Sequence, residues 1–434
     1  QSTSTLPRIV QRFGVHYAWV VVILTFFSVL AGAGIRAAPP ILIVPFEHEF
    51  GWSRADLSQA VSLNLLMYGI GGPLAGKLIE LRGVRFVQMA GLILLGVGVT
   101  GTLFMSSIWQ LNVLWGLIVG LGAGGAATVS SAAVATRWFV KRRGLASGIL
   151  TSGVSMGQLI FYPSLMAIVL AFDWRVAATL LAALAFTVLV PLALFTRNDP
   201  SELGLLPYGA DEPLHSTGRG PLHAEPRVAG SEVIRASTFW LLFGAFSTCG
   251  ATTAGLIGTH LIPHAVDHGI SPMTAASTIG MMGFLNFFGT IGSGWLTDRM
   301  DPRKILAGAF LVRGSALLML PVLSSMTFFD TVPGLFVFGV IFGLDWLATG
   351  PPLISLIADR FGRRSAPYVF GWVFLGHQIG SSLAAWGGGF ARVALGDYGP
   401  AFFVAGLVAF GGAILGLRVR RHERPLPVAA SALA

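Results

Sequence analysis

Along its 434 residues the chain alternates long apolar runs with short polar loops. About twenty apolar residues cross a bilayer as a helix. Twelve runs reach that length: 17–43, 57–79, 85–105, 108–135, 144–171, 175–196, 238–262, 273–297, 304–325, 333–357, 366–393 and 400–419. This pattern predicts an all-α membrane protein of twelve transmembrane helices. The one long polar interruption, 197–237, is rich in Pro, Gly and both charges and reads as a linker with a short surface helix near Gly230 to Ser237. It divides the chain into an N-terminal six-helix bundle (1–196) and a C-terminal one with a polar tail (238–434).

The loops sort by charge. Four short ones hold Lys77, Arg82 and Arg85; Arg137, Lys141, Arg142 and Arg143; Arg299, Arg303 and Lys304; and Arg360, Arg363 and Arg364. The intervening loops hold only Arg54, Arg175 and Arg392, so the positive-inside rule predicts cytoplasmic termini; Arg418, Arg420 and Arg421 agree. Composition fits: 54% of residues are hydrophobic and 11% charged, against roughly 25% charged in soluble proteins. A soluble enzyme and a disordered scaffold are excluded, and lipid is the expected surroundings. The net charge of +9 belongs to topology loops, so no nucleic acid partner is expected. Cys249 stands alone, which excludes an intramolecular disulfide and a cysteine-only metal site. Gln1 to Arg12 lacks the apolar core of a secretory signal, and the first apolar run is expected to remain as a helix.

An internal repeat supports two halves. Gly76, Glu80, Arg82 and Arg85 follow the second run, and Gly294, Asp298, Arg299 and Arg303 follow the eighth in a similar Gly-x-x-x-acid-x-x-x-x-basic pattern. This resembles the cytoplasmic loop motif of the major facilitator superfamily. That resemblance implies two pseudo-symmetric six-helix bundles related by a parallel repeat, with glycine allowing close helix approach and the charges locking one gating state. Within the superfamily, Arg137-Trp-Phe-Val-Lys-Arg-Arg-Gly-Leu-Ala-Ser-Gly148 resembles the motif entering the fifth helix of monocarboxylate transporters and bacterial oxalate/formate exchangers. Phe172-Asp-Trp-Arg175, Pro200-Ser-Glu-Leu-Gly-Leu-Leu-Pro207 and the partial motif Gly14-Val-His-Tyr-Ala-Trp19 resemble the same bacterial branch. The resemblance implies a bacterial inner membrane location and a small-molecule cargo, and it places helices 1, 4, 7 and 10 around a central cavity, with 2, 5, 8 and 11 completing its walls.

Ionisable groups at bilayer depth are costly and so are candidate functional residues. Five fall within the runs: Arg36, His260, Arg313, Asp345 and His377. Arg36 precedes Pro39-Pro40, where the helix must bend, and its guanidinium suits a carboxylate; it could equally snorkel or pair with Asp345. Aligned on Gly371, His377 falls where the exchangers carry a substrate-binding lysine; it could donate to an anion and carry a proton, or be a core histidine. Asp345 is the only acid in a run interior: free, it could couple transport to protons; tied to Arg313 or Arg36, it is a structural ion pair. Arg313, on the peripheral helix 9, suits that partner role.

Helix 8 departs from the family, since its substrate-binding arginine aligns with Thr290, one turn from Asn286. These two share a helix face and are candidates to bind substrate. Tyr68, Tyr162 and Gln378, then Asn64, Ser155, Gln158 and Trp346, complete the candidates, each open to a packing role. His260, at the outer end of helix 7, could gate the cavity or sit in an interfacial loop; His260, His264, Asp267 and His268 have only a weak metal-ligand spacing, so no metal and no cofactor is expected. The glycines of helix 4 do not form a phosphate cradle. The expectation is a monomeric secondary transporter of a small organic anion, a monocarboxylate, carried with a proton by alternating access. The competing expectation is a proton-coupled exporter of apolar or cationic compounds. No nucleophile and base constellation points to an enzyme.

Overall fold

The computed structural model describes residues 16–126, 128–210, 228, 230–324, 332–362 and 365–420. The polar stretch Gln1 to Arg12, most of the linker, and Arg363, Arg364 and Arg421 of the basic clusters lie outside the described residues. Eight described helices are long and apolar enough to cross a membrane: α1 (Tyr17–Phe50), α3 (Val84–Thr102), α4 (Ile108–Trp138), α5 (Leu145–Ala171), α6 (Trp174–Phe195), α7 (Ser237–Asp267), α10 (Pro333–Phe361) and α12 (Gly399–Arg418). Four more long helices fill the remaining predicted places: α2 (Arg54–Arg82), α8 (Pro272–Thr297), α9 (Pro302–Ser324) and α11 (Ala366–Leu395). A helix bonds its own backbone groups, which is why apolar runs in lipid adopt it. The expected surface helix is present as Gly230–Arg235.

Local chemistry sets the ends. Ser53 accepts a hydrogen bond from the Asp56 N–H at 3.2 Å and starts α2, as Ser271 does for α8 through the Thr274 N–H at 3.1 Å. Gly51 ends α1 at φ 66°, a backbone region that favours glycine. The first helix thus runs seven residues past its expected end at 43, carrying Glu47 and Glu49 with it.

In the first six helices α1 packs on α5 and α6, and α3 on α4 and α6; in the last six α7 packs on α11 and α12, α9 on α12, and α8 on α10. Two long seams join the sets, α2 along α11 and α5 along α8.

The two ends of the molecule differ. At the end bearing the termini, the motif residues form a collar. The Tyr208 carbonyl accepts from the Val140 and Lys141 N–H groups at 3.0 and 3.1 Å, and the Tyr208 N–H donates to the Trp138 carbonyl at 2.8 Å. Tyr208 also meets Trp19, Phe139 and His16 edge-on or tilted, while the Tyr17 hydroxyl donates to the Phe195 carbonyl at 2.6 Å. Three separate motifs of the sequence, around residues 16–19, 137–148 and 200–208, therefore meet in one joint.

At the far end α1 meets α7, and an ionic latch centred on the buried Arg54 crosses between the two sets of helices. Arg54 donates to both Asp267 oxygens at 2.5 and 2.7 Å and to Glu47 at 2.8 Å, and Arg392 donates to Asp267 at 2.8 Å. Arg54 also donates to the Tyr398 hydroxyl at 3.3 Å; burial pushes that phenol up to about 12, so it stays neutral. Nearby, the Ser62 and Ser382 hydroxyls bond at 2.8 Å.

Candidate functional site

Two interrupted helices and one tight crossing build the site. In α1, the helix Tyr17–Ala37 bends at Ala38 before Pro39 starts the next segment, which leaves Arg36 in the last turn above the bend. In α10, Pro351 and Pro352 cannot donate backbone hydrogen bonds to a preceding turn, and Trp346 to Thr349 leave the helix. The freed backbone groups are taken up by side chains. Arg313 donates to the carbonyls of Asp345 and Trp346 at 2.7 and 3.2 Å, Ser293 donates to the Ala348 carbonyl, and the Asn286 side-chain oxygen accepts from the Leu347 N–H at 3.0 Å.

The crossing is between α7 and α11. A Cβ on Gly250 would lie 1.9 Å from the His377 carbonyl oxygen, and one on Gly380 would lie 2.0 Å from that of Ser247, so each glycine admits the other helix's backbone. Beyond Gly250, α7 widens into a π-helical stretch, Ala251–Ile257, that brings Thr253 and Ala254 to the interior.

These elements enclose a central cavity of about 310 Å³. Among the described residues lining it, Arg36 is the one with a full charge apart from histidine, and no carboxylate lines the wall. The half-buried Arg36 guanidinium lies over the Tyr68 ring at 4.1 Å from its centroid, and no described carboxylate pairs with it. His377 is buried, stacked on Phe374 with centroids 5.8 Å apart and planes 8° apart, and 4.7 Å from Phe246. Gln378 is buried beside it, and its side-chain oxygen accepts no hydrogen bond from a described residue.

Of the residues expected to bind substrate, Arg36, Tyr68, Tyr162, His377 and Gln378 line the cavity, as do Asn64, Ser155, Gln158 and Trp346. Asn286 and Thr290 do not. Asn286 is buried in the joint of α8, α5 and α10, bonded to Leu347, Ser155 and Thr290. The backbone freed by the break in α10 takes up the Asn286 side chain. Asp345 also stands outside the lining: Arg313, fully buried, donates to it at 2.7 Å and to Cys249 at 3.0 Å, so the two form an ion pair, and Arg36 is not Asp345's partner. The lining residues Phe246, Thr253 and Phe374 were not anticipated; Phe374 lies one turn before His377 on the same face, which was the available signal. His260 is tied to the Ala385 carbonyl at 2.7 Å, and the groups that approach one another within 4.8 Å are His264, His268 and Asp397, a different set from the sequence grouping.

The repeated loop motifs do not form the expected charge network in this conformation. Glu80 and Asp298 are exposed and make no ion pair with a described residue. Arg85 instead donates to the Ala193 carbonyl at the end of α6 at 2.5 Å, and Arg303 donates to the Val419 carbonyl at the end of α12 at 3.0 Å while pairing with Asp301 at 2.7 Å. Arg82 and Arg299 lie over Phe86 and Trp295. Both copies thus send a cation to the carbonyl end of the last helix of their half.

Comparison with known proteins is consistent along the chain. The sequence model of the Major Facilitator Superfamily matches residues 21–385. The MFS-type transporter YcxA of Bacillus subtilis is 26% identical over 383 residues, covering 86% of this chain and 87% of that protein. Monocarboxylate transporter 13 of Bos taurus is 26% identical over 398 residues, covering 91% and 88%. Among solved structures, a bacterial homologue of the human lysosomal transporter Spinster, inward-facing and unoccupied, aligns with TM-score 0.71 at 16% identity, covering 94% and 99%. A D-xylose-proton symporter aligns with TM-score 0.70 at 15% identity, covering 93% and 98%.

Proposed function

The chain belongs to the Major Facilitator Superfamily, and we propose that it is a secondary transporter that moves a monocarboxylate together with a proton by alternating access. The observation that carries this reading is Arg36, a guanidinium that no described carboxylate pairs, in a cavity with no carboxylate among its described lining residues. An unpaired cation at membrane depth is expensive, and an anionic cargo neutralises it. With its face on Tyr68, the guanidinium still has edge N–H groups for a bidentate carboxylate, and Tyr162 and Gln378 supply further polar atoms. A cationic cargo finds no acid among the described lining residues, which speaks against a cationic cargo; Asp345 is engaged by Arg313. The monocarboxylate transporter relatives support the cargo class.

The proton falls to His377, the one imidazole among the described residues lining the cavity. Cargo and proton enter the same space, so a monoanion crosses with no net charge. The charge asymmetry of the loops supports termini in the cytoplasm, with the far-end latch closed toward the outside and the bacterial inner membrane as location. The seams α2 with α11 and α5 with α8 support 1–196 and 238–434 as two halves that rock about the cavity, joined by the linker 197–237 in a working monomer. The repeated motifs, Gly76, Glu80, Arg82 and Arg85 with Gly294, Asp298, Arg299 and Arg303, regulate that rocking at the terminal end.

Reconstituted in liposomes, the protein takes up a monocarboxylate faster when the acidic side is outside. Removing one partner of a buried charged pair costs about 2 kcal/mol or more, so Arg36→Gln weakens carboxylate affinity roughly 30-fold. Unchanged affinity in that variant would remove the site assignment. His377→Gln retains carboxylate exchange and loses the response to the proton gradient; a retained response moves the proton elsewhere.

A further inference from the structure

Arg36 stands at one end of a continuous row of rings. The guanidinium lies on Tyr68, Tyr68 meets Phe374 edge-on at 5.7 Å, Phe374 stacks on His377 at 5.8 Å, and His377 meets Phe246 at 4.7 Å. All four rings line the cavity. They reach it from α2, α7 and α11, so the row is a wall shared by both halves of the molecule and not a packing stripe within one helix.

We propose that the cargo is a monocarboxylate bearing a flat aromatic ring, an aryl or arylalkyl acid, with its carboxylate on Arg36 and its ring against Tyr68, Phe374 and His377. The proposal rests on the carboxylate reading above and adds the body of the molecule to its charged end. Three features of the cavity carry it. The cavity volume, about 310 Å³, falls at the lower edge of the roughly 300–1,000 Å³ of pockets that enclose drug-sized ligands, more than a three-carbon acid fills. A short hydroxy or keto acid would leave most of the wall in contact with water. The described lining residues offer one permanent cation, so a second carboxylate would be desolvated without a partner. Tyr68, Phe246, Phe374 and His377 give the lining an aromatic stretch, and rings recognise rings by offset or edge-on contact beyond the area they bury. An aliphatic body of equal size gains the burial and forgoes that contact.

The test compares acids of matched charge and different shape on the purified full-length protein, read by isothermal titration and by thermal shift. The probes are phenylacetate and indole-3-acetate, cyclohexylacetate as the non-planar match, L-lactate and propionate as short acids, and succinate as a dicarboxylate. Phenylacetate is expected to bind about threefold to tenfold tighter than cyclohexylacetate, the gain of one or two ring contacts, and more tightly still than lactate or succinate. Phe374→Leu is expected to bring the phenylacetate to cyclohexylacetate ratio close to one, and the wild-type comparison stands by itself if that variant does not fold. Equal binding of the planar and non-planar acids, or tighter binding of lactate, overturns the aromatic proposal and leaves the carboxylate reading intact, provided Arg36→Gln still weakens binding of the acids roughly 30-fold. If no acid binds, both fall.

Discussion

Asp345 shows how a charged residue's surroundings decide its role. Its carboxylate, its carbonyl and the next carbonyl all receive hydrogen bonds from the fully buried Arg313, so the pair closes the break in α10 as well as neutralising itself. Breaking a buried pair by removing one charge leaves the other without compensation and costs about 3–5 kcal/mol. Asp345→Asn is therefore expected to lower the melting temperature sharply, and Arg313→Leu with Asp345→Leu to recover part of the loss. If Asp345→Asn keeps the wild-type melting temperature and abolishes proton coupling, the structural role is wrong. Asn286 follows the same logic at smaller scale, since its side chain serves the Leu347 N–H that the break exposes.

Among the elements, breaks and crossings position the chemistry, and they are where the sequence is hardest to read. Apolar runs of twenty residues are conspicuous, so the long helices of the described residues were legible, as was the bend that Pro39-Pro40 imposes beside Arg36. Gly350-Pro351-Pro352 announces a break in α10 as well, but not which neighbours satisfy its backbone. That depends on α8 and α9 lying alongside, and Asn286, expected as a ligand, lies outside the cavity lining with its side-chain oxygen on the Leu347 N–H. The ring row was illegible for the same reason: Phe246 and Phe374 are ordinary apolar residues of separate helices until α7 crosses α11. The glycines at that crossing make it testable. Overpacking there costs about 1–3 kcal/mol, so Gly250→Ala or Gly380→Ala is expected to lower the melting temperature and to weaken carboxylate binding by displacing His377. A stable variant with unaltered binding would show that the crossing does not position the site.

Over the whole molecule, the collar at the terminal end and the latch at the far end divide the work. The collar ties α1, α4 and the segment after α6 into one unit, whereas the latch joins the first six helices to the last six and must part if the far end opens. Its bonds are arranged so that parting strands no charge: Arg54 keeps Glu47, and Asp267 keeps Arg392. Arg54→Gln is expected to raise labelling of a Ser62→Cys variant by a membrane-impermeant maleimide several-fold, measured with the buried Cys249 unreactive. An unchanged labelling rate would mean that the apolar contact of α1 with α7 alone holds the end shut.

The pairing within each half has an electrical consequence. Arg54 with Glu47 sums to zero on one side of the parting line, and Asp267 with Arg392 sums to zero on the other. A membrane voltage does work only on charge that moves through its field. Opening this end displaces two neutral pairs, so the voltage has almost no lever on the latch itself.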